Sequence, residues 1–231
     1  MGVKTVEMAG VGQITETNIT VQDKRYGKVD IYTNEEPPIR PILIGGGSDS
    51  KFFTRVLYPQ EYLRLWQATP DKYKIVLDFL LTSGVRYVEG QFIQKHPEVY
   101  DINRQYIQLP SGVEKKQKQV FRSRFITLSD YGNKITPQFF NAIRMPARCN
   151  WDIDLKRWAA RAGLDTTGIS SKTTRKTCES WLMMFYKDRQ AHILLRQGHI
   201  KETEIKHYLA IPFNEHDISL MKLYVDGMNF K

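Results

Sequence analysis

A guanidinium, an imidazole and a phenol are the groups needed to attack a phosphodiester without a metal ion, and the stretch Ser170 to Phe213 carries all three in order. A basic K-x-x-R box (Lys172, Arg175) comes first, a Gly-His pair (Gly198, His199) follows, and Tyr208 closes the set. His199 lies 24 positions after Arg175, and Tyr208 lies 9 after His199. Arginine presents a fixed fork of donors that matches two phosphate oxygens. Histidine adds a donor, and a phenol oxygen becomes a nucleophile once it loses its proton.

Taken singly, each group has an ordinary role. A tyrosine packs its ring and hydrogen-bonds its hydroxyl. A lone arginine makes a surface ion pair or touches a nucleic-acid backbone. His192 and His207 read as partly buried polar groups, with His207 the rival imidazole beside Tyr208. The order and the separations carry the signal.

In that order and spacing the chain resembles the tyrosine recombinases, the integrases of phages and archaeal viruses, whose C-terminal box runs basic-x-x-Arg, helix, Gly-His, short helix, Tyr. The resemblance reaches back to LLTSGVRYVEG (80–90), which is similar to the family's first-arginine motif, with Arg86 and Glu89. It spans roughly Leu57 to the C-terminus. It implies an α+β fold: a mostly helical catalytic domain with a small antiparallel sheet or hairpin. It further implies that Tyr208 attacks the scissile phosphate and leaves a 3′-phosphotyrosyl link, with no metal, ATP or other cofactor. Arg86 and Arg175 would clamp the non-bridging oxygens, His199 would donate to the phosphate or to the tyrosyl oxygen, and Glu89 would orient an arginine or the Lys172 box. The commonest family residue at position 172 is His, and archaeal members often carry Lys; Lys172 is either the base or a phosphate ligand. The family's hairpin lysine protonates the leaving 5′-oxygen. Lys115, Lys116 and Lys118 are the candidates, with Lys118 favoured because it stands closest to the second strand. Arg122, Arg124 and Lys176, with Lys115 and Lys116, are expected to contact DNA. The implied partners are double-stranded DNA with specific recombination sites and further copies of the chain, four on a synapse, with a monomer allowed in solution. Relaxation of supercoils by a type IB topoisomerase-like monomer, or DNA binding by a regulator with a degenerate site, are the alternatives.

Composition is compatible. The 231 residues carry a formal charge of +9, which favours a polyanionic partner. No run approaches eighteen apolar residues, and the start MGVKTVEMAG lacks a signal peptide's pattern, so a cytoplasmic protein is expected, and the resemblance implies a prokaryotic host cell. Two isolated cysteines, Cys149 and Cys178, suggest small buried groups rather than a disulfide framework. Asp152, Asp154 and Asp165 lack the spacing of a two-metal site, and no phosphate-binding glycine loop followed by Lys is present.

Residues 1–50 read as a separate segment. GQITETNITVQ and GKVDIYT alternate with period two, predicting one or two strands, and Gly45 to Ser50 reads as an interdomain linker. The boundary is therefore expected at 50, with residues 51–231 forming the catalytic domain. The family's N-terminal DNA clamp is longer and helical, so a reduced or missing clamp is expected here. Beyond the linker, Pro59 opens a helix, and Tyr73, Val76, Leu77 and Leu80 share a helical face that ends at Ser83-Gly84, with Arg86 starting the next helix. RQYIQLP and QVFRSRFITLS predict a hairpin. Thr136-Pro137 is expected to open a helix. WDIDLKRWAARAG is expected to bury Ile153, Trp158 and Ala162 and to stop at Gly163, while Ser170 or Ser171 caps the helix of Arg175 and Trp181, Leu182 and Phe185 bury it. The tail from Asn214 is a helix that docks on a neighbouring protomer or on its own domain.

Overall fold

The computed structural model describes residues 17–23, 27–33, 41–44, 53–110, 113, 123–198 and 211–228. The chain forms two units, Met1–Arg40 and Pro41–Lys231. In the first, β1 (Thr17–Asp23) and β2 (Gly27–Thr33) pair antiparallel from Thr17↔Thr33 to Asp23↔Gly27, as the alternation predicts.

The division after Arg40 corrects the expected boundary at Ser50. β3 (Ile42–Ile44) pairs antiparallel with β4 (Thr54–Val56), so the chain on both sides of the glycine stretch belongs to one sheet. The stretch connects two strands rather than two domains. Its own residues lie outside the described ones.

The second unit is mostly helical, with small antiparallel sheets, an α+β architecture. Helix α1 (Pro59–Ala68) has its proline at the first position, where the missing N–H costs nothing. Helix α2 (Asp71–Ser83) ends on Gly84, whose φ of +62° a side chain would resist. Helix α3 (Tyr87–Lys95) starts with Arg86 at its N-cap. A single 3₁₀ turn (Pro97–Val99) leads into a three-stranded sheet, β5 (Tyr100–Asp101), β6 (Tyr106–Leu109) and β7 (Arg124–Thr127), in that spatial order. The two strands expected of a hairpin pair from Tyr106↔Thr127 to Leu109↔Arg124, and β5 is an addition the pattern did not signal.

Helix α4 (Asp130–Phe140) begins seven residues before Pro137, which corrects the expected start. Ser129 caps it by accepting from the N–H of Gly132 at 3.1 Å. Pro137 sits inside the last turn, and the carbonyl it cannot bond, that of Asn133, accepts instead from the Tyr100 hydroxyl at 3.5 Å.

Helix α5 (Arg148–Arg161) buries Trp151, Leu155, Trp158 and Ala159, and Gly163 (φ +69°) follows its end. Ile153, expected inside, is 50% exposed because it falls off that stripe, and Ala162 is only partly covered. Cys149, in the first turn, is exposed, whereas Cys178 is buried as expected.

Helix α6 (Thr173–Phe185) is the centre of the unit. Every residue from Thr173 to Met183 except Lys176 is buried, so it is enclosed on all sides, with α2, β4 and the two later helices, α7 (Gln190–Gln197) and α8 (Glu215–Val225), against it. Trp181 and Leu182 are inaccessible, while Phe185 is partly exposed. Neither serine caps α6 through its hydroxyl to the first turns: Lys172 occupies the N-cap, and Ser170 Oγ accepts from the Lys172 N–H at 3.3 Å. A second 3₁₀ turn (Lys187–Arg189) precedes α7 (Gln190–Gln197), and α8 (Glu215–Val225) is the C-terminal helix.

Of the two placements open to the tail, α8 takes its own domain, against α1, α4 and α6. Tyr224 inserts between Tyr62, Tyr131 and Trp181, with ring centroids 5.3 to 5.7 Å apart. Beneath this cluster the fully buried carboxylate of Asp78 accepts from Tyr62 and Tyr131 hydroxyls at 2.6 Å each and from Trp66 Nε1 at 3.1 Å. Those three donors replace the water the charge gave up. Among the described residues no helix is long and apolar enough to cross a membrane.

Candidate active site

The end of α2 sets the first arm of the site. Gly84 turns the chain so that Val85 is buried and Arg86 stands at the head of α3. A Cβ on Gly84 would collide with Gln197 Nε2 and stand 2.9 Å from Cys178 Sγ, so α2, α6 and α7 converge on a space only glycine leaves open.

Glu89, in the first turn of α3, is completely buried. Its Oε1 accepts from Arg86 Nη1 at 2.6 Å, and its Oε2 accepts from the Arg86 N–H at 2.7 Å and from Arg124 Nη2 at 2.8 Å. Arg86 and Glu89 form an i,i+3 ion pair, and Glu89 also holds a residue 35 positions away on β7. Arg124 was expected to face DNA. It points inward instead, 8% exposed, because β7 turns Arg124 and Ile126 to the core and Phe125 to solvent, and a buried carboxylate waits on the inner side. Its Nη1 donates to the Gln197 carbonyl at 3.2 Å.

Arg175, 6% exposed, projects from α6 and donates through Nη1 to the Gly84 carbonyl at 2.8 Å and through Nη2 to the Gln197 carbonyl. It therefore ties the segment two residues before Arg86 to the segment two residues before His199. The last carbonyls of α7 carry the negative end of the helix dipole, and two guanidiniums, from Arg124 and Arg175, cover that of Gln197. Arg196 anchors the same helix from its other side, donating to the carbonyls of Thr127 at 2.9 Å and Thr82 at 3.0 Å. Gly198 then leaves the helix with φ +69°.

The electrostatics follow. Burial pushes the Glu89 carboxyl up, but the charges of Arg124, Arg175 and Arg86 and the Arg86 N–H outweigh it and hold the group below its ordinary value. Burial pulls Arg175 down to about 10, with Glu89 opposing, which leaves it cationic at neutral pH. Three guanidiniums around one carboxylate leave an excess of two positive charges in a mostly buried cluster. Only Arg86 reaches solvent appreciably, its side chain 32% exposed. Such a cluster attracts an anion at its open side.

Lys172 is exposed at the N-cap of α6, one turn before Arg175. Lys176, expected on DNA, pairs with the buried Glu179 at 3.4 Å and keeps a fifth of its side chain exposed. His192 is exposed rather than partly buried. Asp152 accepts from the Ser171 N–H, Asp154 from Arg157 and Asp165 from Thr167, so the three carboxylates serve separate partners.

Among the expected site residues, the structure thus brings together Arg86, Glu89, Arg175 and, unexpectedly, Arg124. Lys115, Lys116, Lys118, Arg122, His199, His207 and Tyr208 lie outside the described residues. Arg196 and the Gln197 carbonyl had no sequence signal, since a buried arginine in a short helix and a backbone oxygen look like nothing in particular. Gly84 had one, the glycine-marked turn. No protein-family model, no curated protein and no solved structure matches the chain.

Proposed function

We propose that the chain is a site-specific DNA strand transferase of the tyrosine-recombinase kind. The Tyr208 hydroxyl gives its proton to water, its oxygen forms a bond to the scissile phosphorus, the bond from phosphorus to the 5′-oxygen breaks, and the leaving 5′-oxygen takes a proton from the hairpin lysine, Lys118. The phosphodiester's energy stays in the phosphotyrosyl bond, and attack by a 5′-hydroxyl reverses the step. Arg86, which reaches solvent, faces the charge that develops on the non-bridging oxygens, and Arg175, held on the Gly84 and Gln197 carbonyls, adds its positive charge from behind, the kind of contribution that usually dominates such catalysis. Lys172 and His199 donate to the same phosphate. Recombination joins two duplexes carrying the target sites on four copies of the chain, in the cytoplasm of a prokaryotic host.

The observation that carries this reading is the Arg175 guanidinium, shared between the carbonyls of Gly84 and Gln197. Motif pieces separated by 91 and 22 positions meet on one side chain, with excess positive charge around it.

The test is a duplex with a nick beside the cleavage position, incubated with the protein and a chelator and run on a denaturing gel. A covalent protein–DNA band that maps to Tyr208 is expected. Tyr208→Phe is expected to bind the duplex with unchanged affinity and to give no band. Equal behaviour of the two proteins overturns the reading.

A further inference from the structure

The hydrogen bonds around Glu89 close a ring that passes through Arg124. From Arg86 at the head of α3 it runs to Glu89, to Arg124 on β7, to the Gln197 carbonyl at the end of α7, to Arg175 on α6 and to the Gly84 carbonyl at the end of α2. Arg86 follows Gly84 by two residues, which completes the circuit. Five elements meet in it, and among the described residues it is Arg124 that joins the carboxylate to the end of α7.

We infer that Arg124 is a positioning residue: it holds the end of α7, and with it the turn at Gly198, in register with the Arg86–Glu89 pair on α3. This deepens the strand-transfer reading and rests on it. Arg124 does not touch DNA, since its side chain is 7% exposed and its fork is spent on Glu89 Oε2 at 2.8 Å and the Gln197 carbonyl at 3.2 Å. The planar fork is what the position requires. One guanidinium reaches two acceptors on different elements in a fixed geometry, whereas an ammonium is a point charge on a flexible stem. Glu89 is not left to Arg86 alone, because Arg86 is also the one arginine of the ring with appreciable exposure and so the one that meets an incoming phosphate. When it turns to that phosphate, Arg124 keeps the buried carboxylate compensated.

The variants are Arg124→Lys, which retains the charge beside Glu89, and Arg124→Gln, which retains a donor for Gln197; either one that folds suffices. DNA affinity and its salt dependence are measured by titration with the uncleaved duplex. The single-turnover rate of the covalent band is measured at saturating nicked duplex. Exchange of the Gly198 amide, which bonds to the Leu195 carbonyl at 2.9 Å in the wild type, is followed in the free protein. Outer residues that orient a site typically change its output about 10- to 100-fold. The expected result is a cleavage rate lower by about that factor in Arg124→Lys, with affinity and salt slope unchanged and faster Gly198 exchange. A salt slope reduced by about one in Arg124→Gln with an unchanged rate at saturation marks a phosphate contact and overturns the role. A lysine variant that cleaves at the wild-type rate overturns it as well. A wild-type protein that forms no band overturns the reaction, and Arg124's hold on α7 is then decided by Gly198 exchange alone, with unchanged exchange refuting it.

Discussion

Arg124 and Arg175, 51 positions apart and on different elements, donate to the same oxygen, the carbonyl of Gln197. Two like charges share one acceptor only if something offsets their repulsion. Glu89 does so, with Arg124 at 2.8 Å and the field of Arg175 also acting on its carboxylate. The carboxylate is thus the keystone of a basic cluster rather than one half of a surface ion pair.

Glu89→Gln is therefore expected to be severe. Removing one partner of a buried charge group leaves the other uncompensated and typically costs about 3–5 kcal/mol. Here the loss falls on two guanidiniums directly bonded to Glu89. Urea unfolding at neutral pH is expected to show a loss on that order. The pH dependence has a definite sign. Because the folded-state pKa of Glu89 lies below its ordinary 4.5, its stabilisation is complete above that value and disappears as pH falls through the lowered folded value. The gap between wild type and variant should narrow only in that acidic window.

Gly84 and Gly163 provide a matched comparison. Both have positive φ, +62° and +69°, so alanine pays a similar backbone cost at either, about 1–2 kcal/mol. A Cβ at Gly163 meets nothing within 4 Å, whereas at Gly84 it meets Gln197 and Cys178 at under 3 Å. Thermal unfolding should place Gly84→Ala well below Gly163→Ala. The Gly84 variant should also lose the covalent product while Gly163→Ala retains it. Equal melting points for the two would contradict the convergence of α2, α6 and α7 on Gly84.

Tyr224 reports where the C-terminal helix docks. It is 6% exposed among three aromatic rings, and truncating a large buried aromatic typically costs about 3–5 kcal/mol. With α8 on its own domain, Tyr224→Ala should lower the melting temperature by the same amount at every protein concentration. A concentration-dependent difference would mean that the helix docks on another copy.

Much of the helical frame was legible from single residues. Pro59 and Gly84 mark ends because their backbone limits are local, and the face of Val76, Leu77 and Leu80 needs only its own spacing to be read. The alternation around Ile107, Leu109 and Ile126 likewise identifies two strands, though it says nothing of β5, which is two residues long. Pro137 misled, because a proline in the last turn of a helix resembles one in the first, and only the cap at Ser129 separates the cases. The glycine stretch after Ile44 resembled a linker because pairing between β3 and β4 joins residues on either side of it.

The amino acids by themselves determined that basic groups, an imidazole and a phenol occur in one order along the chain, since order is a property of the covalent string. Tertiary structure alone decided which of the arginines face inward. In β7 the residues Arg124, Phe125 and Ile126 admit either face toward the core, and burying the arginine is favourable only because Glu89, 35 positions earlier, is carried there by α3. A buried charge is settled by its partner, and the partner is found only when the chain has folded.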